Sequence, residues 1–124
     1  METDRVAKIL ECLSSPTRLR IYRLLVGQGD AGMVAGGIAT QLDIAPNGAS
    51  FHLKAMTHAG LLSVQQEGRY QRYRADIGQM LDLVSYLTQE CCAGHPELCV
   101  PPGVVRAPAA RPRAARPRAA KAKR

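Results

Sequence analysis

No stretch of this 124-residue chain is apolar for long enough to cross a bilayer, which excludes a membrane-spanning helix. The start, Met1-Glu2-Thr3-Asp4-Arg5, is charged and leads into no apolar segment, so we expect no secretory signal and a cytoplasmic location. No glycine-rich phosphate loop and no paired nucleophile and base are present, and we expect no enzyme. Acids are missing altogether from residues 101–124, where Arg106, Arg111, Arg113, Arg116, Arg118, Lys121, Lys123 and Arg124 supply 8 of the 17 basic residues. The formal charge of +7 therefore misleads: residues 1–100 hold 9 basic against 10 acidic residues, a net −1. Any basic face in that part has to come from arrangement rather than composition. With 46% apolar residues the chain can build one modest core.

Val6, Ile9, Leu10 and Leu13 recur at helical spacing from about Asp4, and Ser14-Ser15-Pro16 interrupts them. Ser15 suits an N-cap and Pro16 the first helical position, so a second helix is predicted through Leu19, Ile21, Tyr22, Leu24 and Leu25, stopped by Gly27-Gln28-Gly29. Val34 to Leu42 reads as a short helix, Asp43 to Pro46 as a turn, and Asn47 as the cap of a helix running to about Ala59 before Gly60. Ala49, Leu53 and Met56 then face inward, leaving Asn47, Ser50, Phe51, His52 and Lys54 nearer solvent. The period next changes to two. Leu62–Gln66 and Tyr70–Arg74 alternate about Glu67-Gly68-Arg69, which predicts a hairpin with Tyr73 buried.

A last helix is expected from Ile77 to Cys91 or Cys92, with Ile77, Met80, Leu81, Val84 and Leu87 on one face and Leu83 and Tyr86 widening it. So broad a stripe has two readings, a dimer interface or a wrap around the domain's own core. Past Pro101 the chain is alanine, proline and arginine, with Ala110-Arg-Pro-Arg-Ala114 repeated at 115–119, a composition that predicts a disordered basic tail. The expected division is a folded domain over 1–92, a cysteine-containing loop over 93–100 and the tail over 101–124. That tail either adds sequence-independent affinity for DNA or has no specific role.

A helix, a turn, a helix with a polar outer face and a hairpin, in that order, describe a winged helix-turn-helix. Asn47, Ser50 and His52 are candidates for base edges, Lys54 for phosphate, and Arg69, Tyr70 and Arg72 on the hairpin for phosphates or a minor groove. Ser15-Pro16-Thr17-Arg18-Leu19-Arg20-Ile21, Ser50-Phe51-His52-Leu53-Lys54, Ala59-Gly60-Leu61-Leu62 and Glu67-Gly68-Arg69-Tyr70 together resemble the ArsR/SmtB family of winged-helix metalloregulators, over roughly residues 4–92. The resemblance implies a mainly α fold with a β-hairpin wing, a homodimer through the first and last helices, and release of operator DNA when a metal ion or metalloid binds. Two recognition helices about a dyad call for an inverted repeat with half-sites ~34 Å apart or a multiple of that. No cofactor is expected to be needed for DNA binding itself.

The sensing site is the open question. Ile38 to Leu42, where the family's founding arsenic repressors carry cysteines, has none, and Asp82-Leu83-Val84 lacks the histidine of its zinc sensors. The chain instead resembles the subgroup with arsenic-binding cysteines at the end of the last helix, which carries the role to Cys91, Cys92 and Cys99. Trivalent arsenic or antimony takes three thiolates in a pyramid, so As(III) or Sb(III) is the expected inducer and no histidine is required. Cys99 can fold back onto the pair, because seven residues extend ~23–25 Å. Zinc or cadmium stays open as an alternative, with His95 as a fourth ligand, as does a thiol-redox switch on the same scaffold. At a helix C-terminus the dipole disfavours thiolate, so Cys91 and Cys92 are not expected to be unusually oxidisable. Cys12, among Ile9, Leu10 and Leu13, reads as core.

Overall fold

In the computed structural model, which describes residues 1–89, 91–95 and 98, the first two helices are α1 (Thr3–Leu13) and α2 (Pro16–Gln28). The join between them follows from three residues. Ser14 caps α1, Ser15 is extended and accepts the Arg18 N–H on its hydroxyl at 3.3 Å, and Pro16 opens α2 with a φ already helical. Gly29 ends α2 at φ 60, and a single 3₁₀ turn (Gly29–Ala31) leads on.

Where a helix start was expected, Met33–Val34 forms a short strand, β1, and α3 (Ala35–Leu42) begins one residue later. The two residues are too few to show a period, and Gly32 makes the strand possible. Gly32 sits at φ 59, and a Cβ there would collide with the Tyr73 carbonyl and the Arg74 side chain, so only glycine lets this backbone lie against the third strand. Asp43 closes α3 in the left-handed region, with the Ile44 N–H reaching back to the Ala39 carbonyl at 3.0 Å.

Helix α4 (Pro46–His58) starts earlier than its predicted cap. Ala45 is the N-cap and Pro46 the first helical residue, which places Asn47 inside the first turn rather than at the cap. A residue before proline is driven to extended backbone, and that preference outweighs the capping propensity of Asn47. Ala49, Leu53 and Met56 are buried as their spacing requires, against a core that includes Ile9, Ile21, Leu25, Ile38 and Leu61.

The wing is three-stranded, in the order β1-β3-β2, with β2 (Leu62–Glu67) and β3 (Tyr70–Ala75) pairing from Leu62 opposite Ala75 to Glu67 opposite Tyr70. Only Gly68 and Arg69 lie in the hairpin turn, and Gly68 takes the positive φ (63°) that a tight antiparallel turn demands. Tyr73 is buried, as alternation predicts.

The chain divides into a unit spanning Glu2–Ile77 and a second from Gly78 onward. In the second, α5 (Ile77–Thr88) buries Leu83 and leaves Leu81 and Leu87 exposed, as it leaves Ile77 at its start. It stops three residues short of the predicted end. The Thr88 hydroxyl turns back onto the Val84 carbonyl at 2.8 Å, a bond that weakens a helix at its last turn. Cys91–Gly94 is a separate turn in which Cys92 (φ 54°, ψ 42°) and Ala93 (φ 58°, ψ 40°) are left-handed. Cys91 and Cys92 therefore lie beyond the end of α5, past the last turn within which its dipole acts. No helix among the described residues is long and apolar enough to cross a membrane.

Candidate DNA interface and thiol turn

The residues expected to read DNA differ in exposure along α4. Asn47, Ser50 and Lys54 are exposed, opposite Ala49, Leu53 and Met56. His52 is different: it is half-buried on the flank of the helix, and its Nδ1 accepts from Arg18 Nε of α2 at 3.0 Å. A guanidinium can only donate, so this nitrogen carries a lone pair and the imidazole proton lies on Nε2. Burial and, second, the Arg18 charge hold His52 below the ordinary histidine range, which keeps it neutral.

Arg18 makes two further contacts that no local spacing announces, since its partners lie in other helices. Its Nη1 donates to the Cys12 sulfur of α1 at 3.8 Å, and its guanidinium carbon lies 5.8 Å from the centroid of the Phe51 ring. Phe51 and His52 meet edge to face at 5.6 Å and 67°. Phe51, which the sequence placed near solvent without a role, is 65% exposed. Beside this cluster a cleft of about 490 Å³ is lined by Arg5, Lys8, Glu11, Cys12, Arg18 and His58 with Ala55 and Ala59.

The wing separates its arginines by task. Arg69 and Tyr70 stand exposed at the tip. Arg72 instead pairs with Glu67 at 2.9 Å and donates to the Ala31 carbonyl at 3.0 Å, while Arg74 donates to Asp30 O at 2.7 Å and Gln65 Oε1 at 2.8 Å. Arg72 and Arg74 thus fasten the hairpin to the 3₁₀ turn and hold the tip where it is. Alternation alone does not tell a bracing arginine from a reaching one.

Of the three sulfurs expected to gather, Cys91 is half-buried and Cys92 is exposed, and neither is in a disulfide. Cys99 and the basic segment 101–124 lie outside the described residues. The His95 N–H bonds to the carbonyls of Cys91 (3.1 Å) and Cys92 (3.2 Å), closing the turn over the pair. Among the described residues no three His, Cys, Asp or Glu side chains gather as a metal site. Two adjacent sulfurs are soft donors of the kind that a thiophilic metal or metalloid takes.

The helix-turn-helix domain family HTH_20 matches residues 13–65. An uncharacterized HTH-type transcriptional regulator of Bacillus subtilis (strain 168), YdfF, is 39% identical over 84 residues; the match takes in 66% of this chain, which spans about a third (35%) of that relative's length. The homodimeric winged helix-turn-helix domain of Mb0332 from Mycobacterium bovis, described as a possible ArsR-family regulator, is 32% identical, with a TM-score of 0.56 over 70% of this chain and 81% of that one. A possible transcriptional regulator for arsenical resistance is 28% identical, with a TM-score of 0.56 over 64% and 80% of the two chains. Helix order, three-stranded wing and these likenesses agree, and the chain belongs to the ArsR family of winged helix-turn-helix transcriptional regulators.

Proposed function

We propose that this protein is a transcriptional repressor that binds an inverted-repeat operator as a homodimer and releases it when As(III) or Sb(III) is bound by Cys91, Cys92 and Cys99. The observation that carries the metalloid reading is the vicinal cysteine pair, in no disulfide and with one member exposed, in a left-handed turn just beyond α5. Arsenous acid is uncharged near neutrality and exchanges each hydroxide for a thiolate with loss of water. The site therefore needs no thiol ionised beforehand. A regulator named for arsenical resistance among the similar structures supports the same reading.

Asn47, Ser50 and Lys54 on α4 would enter the major groove with His52 at their flank, and Arg69 and Tyr70 would meet the backbone or the adjacent minor groove with Arg72 bracing them. Dimerisation is supported by the exposed apolar residues Ile77, Leu81 and Leu87 on α5 and by the homodimeric M. bovis relative. Release requires only that the metalloid favour the weak-binding arrangement, and a coupling of ~3 kcal/mol lowers operator affinity by ~150-fold.

The test is a titration of the complex with a duplex selected from a random library, using arsenite, antimonite, cadmium and zinc on native protein and on Cys91→Ser, Cys92→Ser and Cys99→Ser. Arsenite and antimonite should dissociate the native complex, and each variant should stay bound. A normal response in Cys99→Ser would rule out the three-sulfur site.

A second reading, a repressor that answers to an oxidant, is favoured by one contact: Cys12 lines the cleft and holds Arg18, which in turn holds His52 of α4. Peroxide releasing the native complex but not that of Cys12→Ser, with arsenite without effect, would establish it instead.

A further inference from the structure

We infer that Phe51 is a specificity-determining residue that reads the C5-methyl of a thymine in the major groove, and that Arg18 and His52 are positioning residues that hold its ring for that purpose. The inference rests on the reading of α4 as the recognition helix.

Phe51 is the only phenylalanine in the chain and is 65% exposed, whereas Leu53, two residues on, is fully buried. Helical spacing sets it four residues after Asn47 and three before Lys54, on the outer face with both. A ring left in water gains nothing there, yet this one is restrained. The Arg18 guanidinium lies 5.8 Å from its centroid, the His52 ring meets it edge to face at 5.6 Å, and Arg18 is itself fixed by its 3.0 Å bond to His52. An exposed aromatic side chain held by two neighbours is preorganised to cover something apolar. Base edges in the major groove are hydrogen-bonding groups, with one exception, the methyl of thymine. Asn47 and Ser50 can use the polar edges; Phe51 can use only the methyl. The geometry therefore points to one thymine in each half-site, related by the dyad, chosen over cytosine by its methyl group.

The experiment replaces, one at a time, each thymine of the selected duplex by deoxyuridine and measures affinity for the full reduced chain. One position per half-site should weaken binding by about fourfold, the loss expected for one buried methyl. In Phe51→Ala the thymine and deoxyuridine duplexes should bind alike. Arg18→Gln should bring the same ratio toward one with an unchanged circular dichroism spectrum, and His52→Asn, whose amide oxygen stands where Nδ1 accepts from Arg18 but which lacks the ring, should retain part of it. Failure of the native chain to select any site would overturn the DNA reading and this inference with it. A selected site in which no deoxyuridine matters, or a penalty that survives Phe51→Ala, would overturn the inference alone.

Discussion

Between Glu2 and Ile77 a shared core forms around Ile9, Ile21, Leu25, Ile38, Leu53 and Leu61, all fully buried, although Leu10, Leu19, Val26 and Val64 stay exposed, and polar side chains are bonded across elements. Beyond Gly78 burial is sparser. Helix α5 buries Leu83 while Leu81 and Leu87 lie open, and the thiol pair stands in a turn of two left-handed residues. The first region has its geometry fixed by its own packing, as a DNA reader must, because base edges reward placement to within a fraction of an ångström. The second leaves apolar side chains of α5 and two adjacent sulfurs without a core around them, and the proposed function gives the side chains a second copy and the sulfurs a ligand. A regulator needs both kinds of region, one that holds its shape and one whose shape an effector can set.

Substitution of one leucine on each side probes that contrast most strongly. Leu53→Ala empties a fully buried site in the first unit and should cost about 2–5 kcal/mol in urea unfolding, independent of protein concentration and with loss of DNA binding. Leu81→Glu, on the open face of α5, should leave the circular dichroism spectrum intact and weaken self-association by about tenfold or more in sedimentation equilibrium, an effect that grows on dilution. If Leu81→Glu unfolded the protein at every concentration, α5 would belong to the core and the contrast would fail.

How much of this could be read in the residues themselves divides along the same line. Elements whose identity rests on local chemistry were legible: Ser15-Pro16 as a helix start, Ala49, Leu53 and Met56 as the inner face of α4, and the alternation that buries Tyr73. Local pattern is silent where a neighbour distant in sequence decides. Strand β1 exists because Met33 and Val34 find Tyr73 and Arg72, about forty residues away. His52 is bonded to Arg18, 34 positions earlier, and Arg72 to the Ala31 carbonyl, 41 positions earlier. Asn47 was displaced from the cap by a proline beside it, a local preference stronger than its own. The thiol pair was visible as composition, but its backbone was not, because left-handed Cys92 and Ala93 contradict the ordinary preference of both residues.

A smaller effect tests whether the Arg18–His52 link belongs to the fixed region. The folded protein holds His52 below its ordinary value of 6.5, through burial first and the Arg18 charge second. Between that lowered value and 6.5 the unfolded chain binds the proton more readily, so stability rises with pH across the window. The contribution is complete above pH 6.5 and is lost on acidification, as a protonated His52 can no longer accept from Arg18. Urea unfolding at pH 7.5 and 5.5 should show native protein losing more stability on acidification than His52→Gln, which has nothing to titrate there. Equal losses would mean that the imidazole is not held neutral by its surroundings.

The smallest expected effect lies at Tyr22 of α2, where the fixed region departs from its own rule. Its hydroxyl is buried and has no hydrogen-bond partner among the described residues, and burial, with the Asp76 carboxylate second, pushes its pKa up to about 12. An unmade buried hydrogen bond leaves the desolvation of the group uncompensated, whereas phenylalanine fills almost the same space without that cost. Tyr22→Phe should therefore be neutral or more stable by up to about 1 kcal/mol in urea at neutral pH. At high pH the sign is set by the raised value: the unfolded tyrosine ionises from pH 10, the folded one only near 12, so native stability falls as pH rises through that interval. Tyr22→Phe removes that part of the fall, and the advantage of the variant should widen from pH 9 to pH 11. A variant less stable than the native chain at neutral pH would show that the hydroxyl is bonded after all.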